Sequence, residues 1–281
     1  MNRKLVMVVA AMALGLTACR REKYSQESPD AVLKTARLMI ENGDAEELHR
    51  LIWAETPEMR TVYKKLGTVL GSLQDLSVDV ARVYPEDVEK LRKQAEEAAA
   101  RGETSALLQR LAPSPMAGRS QARRPRPSQR EQEEMFSRLS KQVFADPYGF
   151  IMRNEARLTT VYMTDDVAAI QFDGKPLLGL TMTEQKGRWY IVLPTNLPVI
   201  ADVMPRNRNE YSIWASLLTA IDNTIIDVRA DVNSGKAQSL DELGRLTGEK
   251  IVVPAGLCML AYAKAVEERR KEREASRSTG G

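Results

Sequence analysis

Apolar and polar residues along this chain change period several times, and each change predicts an element. After an apolar run at Leu5–Ala18 and a polar stretch over 20–27, residues Val32, Leu33, Ala36, Met39 and Ile40 recur at helical spacing. Ser28-Pro29-Asp30 supplies an N-cap, a proline at the first helical position and an acid in the first turn, and Asn42-Gly43 supplies a stop. A short helix through Leu48, Leu51 and Ile52 follows. A third helix opens at Thr56-Pro57-Glu58 and carries Met59, Val62, Tyr63, Leu66, Val69, Leu70 and Leu73 as one stripe. From Leu76 to Val80 apolar and polar positions alternate, which predicts a strand ending near Tyr84-Pro85.

The later chain divides in the same way. Residues 86–111 read as a charged, alanine-rich helix and 131–144 as another. Between them, 113–130 holds five arginines, four prolines and no acid, a composition expected to stay disordered. Four alternating segments at about 156–163, 167–172, 177–184 and 188–193 predict an antiparallel meander, with Asp173-Gly174 and Lys186-Gly187 as hairpin turns. Its inward candidates are Ala168, Ile170, Phe172, Leu178, Leu180, Met182, Trp189, Ile191 and Leu193. Beyond it, Trp214, Leu217, Leu218, Ile221, Ile225, Val228 and Val232 form a helical seam ending at Ser234-Gly235. Ser239 with Glu242 reads as a capping box for a short helix, and Pro254 as the start of a last one. The fold class expected is α+β: three N-terminal helices and a curved antiparallel sheet, with a helical insertion and a helical C-terminal extension.

The N-terminus changes the picture most. A basic start (Arg3, Lys4) and fourteen apolar or small residues have the form of a secretory signal, and the run is shorter than the roughly 20 residues of a membrane span. Leu16-Thr17-Ala18-Cys19 resembles the lipobox of bacterial lipoproteins. That resemblance implies cleavage between Ala18 and Cys19, acylation of Cys19, and a protein tethered to the extracytoplasmic side of a membrane in a bacterial cell envelope. The partners it implies are the lipid bilayer, through Cys19, and an envelope protein. Several acyl chains on one cysteine anchor stably where a single one does not.

Charge and cysteine content exclude some classes. The full chain is formally +3 and falls to +1 without residues 1–18, too neutral for a general nucleic-acid binder. After lipidation one thiol remains, Cys258, so no intrachain disulfide is expected. Its apolar neighbours in GLCMLAYA predict a buried, inert group. The cluster Arg119, Arg123, Arg124, Arg126 and Arg130 is the sharpest charge feature; it reads either as a contact for anionic lipid head groups or as a flexible solvated loop.

Three helices and a late meander closing on Gly187-Arg188-Trp189 resemble the nuclear-transport-factor-2-like fold of small bacterial lipoproteins, also on the phrase SPDAVLKTARLMIENGDAEEL at 28–48. The resemblance implies a cone-like α+β domain over 28–84 and 155–194. An insertion at 85–154, an extension at 205–275 and a disordered tail at 276–281 elaborate it. Enzymes of that fold use an Asp, Tyr or His inside the cone for proton transfer. Here Tyr162, Tyr190, Asp165 and Asp166 lie on or beside the meander, although strand and turn preferences alone account for them. The single histidine, His49, has no companion for a metal site or a catalytic triad. Neither metal nor cofactor is expected. The leading functional reading is a non-enzymatic binding or scaffolding module; the alternatives are a carrier of an apolar ligand or lipid and an isomerase or dehydratase.

Overall fold

The computed structural model describes residues 23–101, 143–194 and 204–278. Helix α1 (Pro29–Glu41) begins where Ser28 Oγ accepts the Ala31 amide at 3.1 Å, and ends at Asn42. It buries Val32, Thr35, Ala36, Met39 and Ile40. The expected short helix is a 3-10 helix, Ala45–Leu51. Helix α2 (Pro57–Val83) is capped by Thr56, whose Oγ1 accepts the Met59 amide at 3.1 Å.

The strand expected from Leu76 onward is a correction: α2 continues unbroken to Val83. Leu76 and Val80 are two steps of a strand alternation, but they also stand four apart, on one helix face. Both are fully buried, whereas Val78 between them is 64% exposed. With Val62, Val69 and Leu73 they extend one stripe, and neither glycine nor proline lies between Leu76 and Pro85 to stop the helix. Helix α3 (Pro85–Ala100) then turns off at Tyr84, whose hydroxyl donates to the Ala237 carbonyl at 2.5 Å. Of the insertion expected over 85–154, the start and the end are described; the Arg/Pro-rich stretch 113–130 lies outside the described residues. Of the helix expected at 131–144, residues 143 and 144 are described, and both are helical.

A short helix α4 (Gly149–Arg153) and a 3-10 turn (Glu155–Arg157) lead into the sheet. Strands β1 (Leu158–Thr164), β2 (Val167–Phe172), β3 (Lys175–Gln185) and β4 (Arg188–Val192) form an antiparallel meander in sequence order. Both expected hairpin turns are present: Asp173 and Gly174 have φ of 51° and 71°, Lys186 and Gly187 of 56° and 78°. Two successive positive φ values match the strand twist. In β3, Leu178 and Gly179 also have φ of 50° and 71°, and the register with β2 shifts between Ala169 and Gln171. This bulge reverses the alternation, so Leu177 rather than Leu178 is buried alongside Met182. The β4 edge is covered. Ile52 bridges Ile191 in parallel, the Trp53 amide donates to Ile191 O at 2.8 Å, and Gln26 exchanges two 2.8 Å hydrogen bonds with Trp189. Part of the polar stretch at 20–27 is therefore docked on the sheet.

Helix α5 (Arg208–Asn233) is capped by Asn207 and ends at Ser234-Gly235, the end that its seam predicts. The two helices expected around Pro254 are one, α6 (Leu240–Ser278), with the proline inside it. An internal proline costs about 3 kcal/mol. Here the helix is held on both sides of it, by Leu240 and Leu243 in the helical core and by Tyr262 and Ala265 further on.

Two apolar clusters result. One lies between α1 and the sheet: Val32, Met39, Leu51, Ile170, Phe172, Met182 and Trp189. The other joins α2, α3, α5 and α6 through Leu76, Val80, Val88, Phe144, Val228 and Leu243. A small cluster of Ile40, Ala45 and Tyr148 connects them.

Candidate functional site

The α1–sheet cluster is not filled to its edge. A cavity of about 640 Å³ remains between α1 and the meander, within the size range of small-molecule sites. Helix α1 presents Leu33 and Ala36 to it because these sit one turn apart, on the flank of the buried face. Phe150 and Ile151 of α4 line one end, and Phe150 stacks at 5.3 Å on Phe172. Leu158, Ile170 and Ile191 come from three strands, and the β3 bulge adds Leu177, Leu178 and Leu180. The displaced phase of β3 thus provides three leucines to one cavity wall.

Polar groups stand at the rim: Asp30, Lys34 and Arg37 from α1, and Glu155. Arg37 bonds Glu41 at 2.7 Å and pairs with Glu155 across the mouth. Asp30 Oδ1 accepts from Thr160 Oγ1 at 2.5 Å. Lys34 is exposed and has no ion-pair partner among the described residues. The wall is apolar and the mouth charged, an arrangement that holds a hydrocarbon body and leaves its polar end at the surface.

The sequence-predicted reactive residues do not converge here. Tyr162 is exposed on β1 with its ring edge-on to Trp189 at 5.5 Å, and Tyr190 packs on Trp53 at 5.4 Å. Asp165 and Asp166 form the β1–β2 turn, where Asp166 Oδ1 accepts from Thr164 at 2.7 Å. His49 is half-buried, with Nδ1 2.7 Å from the Glu46 carbonyl. Cys258 is half-buried in α6, a correction to its expected burial: it lies one turn before the buried Tyr262, at the edge of the exposed Leu257, Met259 and Leu260. Ala18, Cys19, Arg119, Arg123, Arg124, Arg126 and Arg130 lie outside the described residues. No group of three His, Cys, Asp or Glu side chains suited to a metal occurs among the described residues.

A second cavity, of about 550 Å³, lies between the start of α2, the end of β4 and the start of α5. Its lining is mixed, with Glu55, Tyr63, Tyr211 and Trp214. Burial pushes the Tyr63 phenol up to about 12, so it stays protonated at neutral pH.

Sequence reasoning carried an apolar cavity as an alternative but did not assemble its lining, because that lining comes from seven elements spread over Asp30 to Ile191. The only local signal was Leu177-Leu178-Gly179-Leu180, a run with too many leucines for a simple alternation. Comparison of the chain with protein-family models, with curated proteins and with solved structures finds no match.

Proposed function

We propose that this chain is a lipid-anchored, extracytoplasmic binding protein that carries an apolar small molecule, of the acyl-chain class, in the α1–sheet cavity. The observation that carries this reading is a cavity of about 640 Å³ walled by leucine, isoleucine and phenylalanine with charge confined to its mouth. Each methylene buried from water contributes about 0.8 kcal/mol, so a chain of several carbons is retained without any directional contact in the wall. Lys34 at the mouth suits a carboxylate or another anionic end group. The carboxylates of the lining, Asp30 and Glu155, are exposed at the mouth and engaged by Thr160 and Arg37, which favours carriage over proton-transfer chemistry. Nuclear-transport-factor-2-like architecture belongs to the same proposal, supported by three N-terminal helices and a meander whose last strand meets Ile52 in parallel.

The anchor supports the reading by distance. Gln26 is fastened to β4 and only seven residues beyond Cys19. At most about 3.6 Å per residue, an acylated Cys19 holds the sheet within roughly 25 Å of its membrane. Titration of the full chain with a fluorescent long-chain fatty acid tests carriage. Saturable binding is expected, weakened at least tenfold by Leu180→Trp, which fills the cavity, and more modestly by Lys34→Glu. Binding that neither substitution alters would refute the cavity as the site. Independently, Cys19→Ser is expected to abolish metabolic labelling by palmitate; retained labelling would refute the anchor.

A further inference from the structure

Helix α6 is apolar around its whole circumference from Ile251 to Ala263, yet only one side meets α5. Tyr262 and Ala265 are each 6% exposed on that side, whereas Val252, Val253, Leu257, Met259 and Leu260 are 55–70% exposed. At about 100° per residue these five form a band on the opposite side, centred on Gly256. A Cβ at Gly256 would meet nothing within 4 Å. A contiguous exposed apolar band of this kind marks an interaction surface.

Two occupants fit poorly. By length and composition, Leu240–Glu272 is long and apolar enough to cross a membrane. However, the thirteen uncharged residues Ile251–Ala263 rise only about 20 Å, short of a hydrocarbon core of about 30 Å. A bilayer surface is disfavoured by the flanks: Asp241, Glu242 and Glu249 before the band and Glu267 and Glu268 after it offset the bases there, and anionic lipid attracts a basic excess.

The same flanking charges are complementary to themselves. Let two α6 helices cross antiparallel with Gly256 facing Gly256. Residues equally distant from Gly256 then meet: Arg245 faces Glu267, Asp241 faces Lys271, and Glu242 faces Arg270. All three pairs are opposite in sign, and each occurs twice in a two-fold dimer. Val252 meets Leu260 and Val253 meets Met259, so the apolar rows also coincide. Within one copy Arg245 bonds Glu249 and Lys271 bonds Glu267 at 2.7 Å. Exchange of such exposed pairs costs little, so they select register rather than supply affinity.

We infer that the exposed face of α6 docks on α6 of a second copy of this chain, antiparallel and crossing at Gly256. One helix face is smaller than the roughly 800 Å² per partner of a tight dimer, so the association is concentration-dependent.

Cross-linking of the full chain in the membranes of expressing cells tests this. In a Cys258→Ala background, Gly256→Cys is expected to give a disulfide dimer on oxidation. Ala255→Cys, on the α5 side, and the background alone are expected to give none. Adding Arg245→Glu or Glu267→Arg to Gly256→Cys should each slow cross-linking about fivefold, and both together should restore it within twofold. These residues are exposed, so unchanged melting temperatures serve as the folding control. Absence of a Gly256→Cys dimer, failure of the double reversal to restore it, or cross-linking to a chain of another mass would each overturn the inference.

Discussion

The two halves of this molecule use the same apolar residue types to opposite ends. Between α1 and the sheet, Leu33, Leu178, Leu180 and Ile191 face a space that the protein leaves open. Apart from the mixed cavity between the starts of α2 and α5, the core shared by α2, α5 and α6 is packed around Leu76, Val80, Val228 and Leu243, and charged groups at its margins fix the helices to one another. Asp79 of α2 accepts from Arg229 at 2.6 Å, from Arg82 at 2.9 Å and from Asn233 at 3.0 Å. Glu210, wholly buried at the start of α5, accepts from Arg269 of α6 at 2.6 Å, from the Arg206 amide at 2.7 Å and from Asn207 at 3.0 Å. The helical half is thus tied together by ion pairs, with its surplus of apolar surface displayed outside on α6. The sheet half keeps its surplus inside, where a ligand can take it.

The contrast can be broken most severely at the Glu210–Arg269 pair. Arg269→Ala leaves a fully buried carboxylate with one partner fewer, and removal of one member of such a pair costs about 3–5 kcal/mol. The urea midpoint is expected to drop accordingly, and the C-terminal part of α6 to gain protease sensitivity. A change under about 1 kcal/mol would show that the pair does not hold α6. Leu243→Ala, in the filled core, is expected to cost about 2–5 kcal/mol, whereas Leu180→Trp in the cavity should alter stability by less than about 1 kcal/mol. Equal losses at the two sites would erase the distinction between the halves.

A smaller effect is expected at Gly67, where α2 crosses the 3-10 helix. A Cβ there would overlap the Glu46 carbonyl oxygen and lie 2.6 Å from His49 Nδ1. Gly67→Ala should therefore destabilise by about 1–3 kcal/mol, although alanine is the better helix former by about 1 kcal/mol. A thermal melt that rises instead would show that the 3-10 helix yields.

The smallest effect is pH-dependent. Hydrogen bonds from Arg229, Asn233 and Arg82 hold the Asp79 carboxyl well below the usual carboxylate range. A depressed folded pKa stabilises above the unfolded value of about 3.9, and that contribution is lost as pH falls through the folded value. Asp79→Asn should lower the melting temperature at pH 6 and reduce the further fall between pH 4 and 2. An acid slope identical to that of the unsubstituted chain would assign the slope to other carboxylates.

Local chemistry was legible wherever one or two residues decide a conformation. Ser28, Thr56 and Asn42-Gly43 marked helix ends, and Asp173-Gly174 and Lys186-Gly187 marked hairpins, because caps and positive-φ turns depend on neighbours a few bonds away. Where two periods fit, the same reading failed. Leu76, Val78 and Val80 satisfy a strand over five residues, and the packing of Leu76 and Val80 in the helical core, with Val78 left exposed, selects the helix. Pro254 likewise reads as a boundary, and only anchoring on either side of it makes α6 one helix.

By itself, then, the sequence determined the α+β class, the order of the meander strands and their turns, and the apolar character of α6, since periodicity and turn stereochemistry are local properties. The tertiary structure alone decided where apolar residues end up. A leucine is equally apolar in a core, on a cavity wall or on an open helix face. Which of these it occupies depends on how residues as distant as Leu33 and Ile191, or Glu210 and Arg269, are brought together. That assembly left the α1–sheet space open and the outer side of α6 bare.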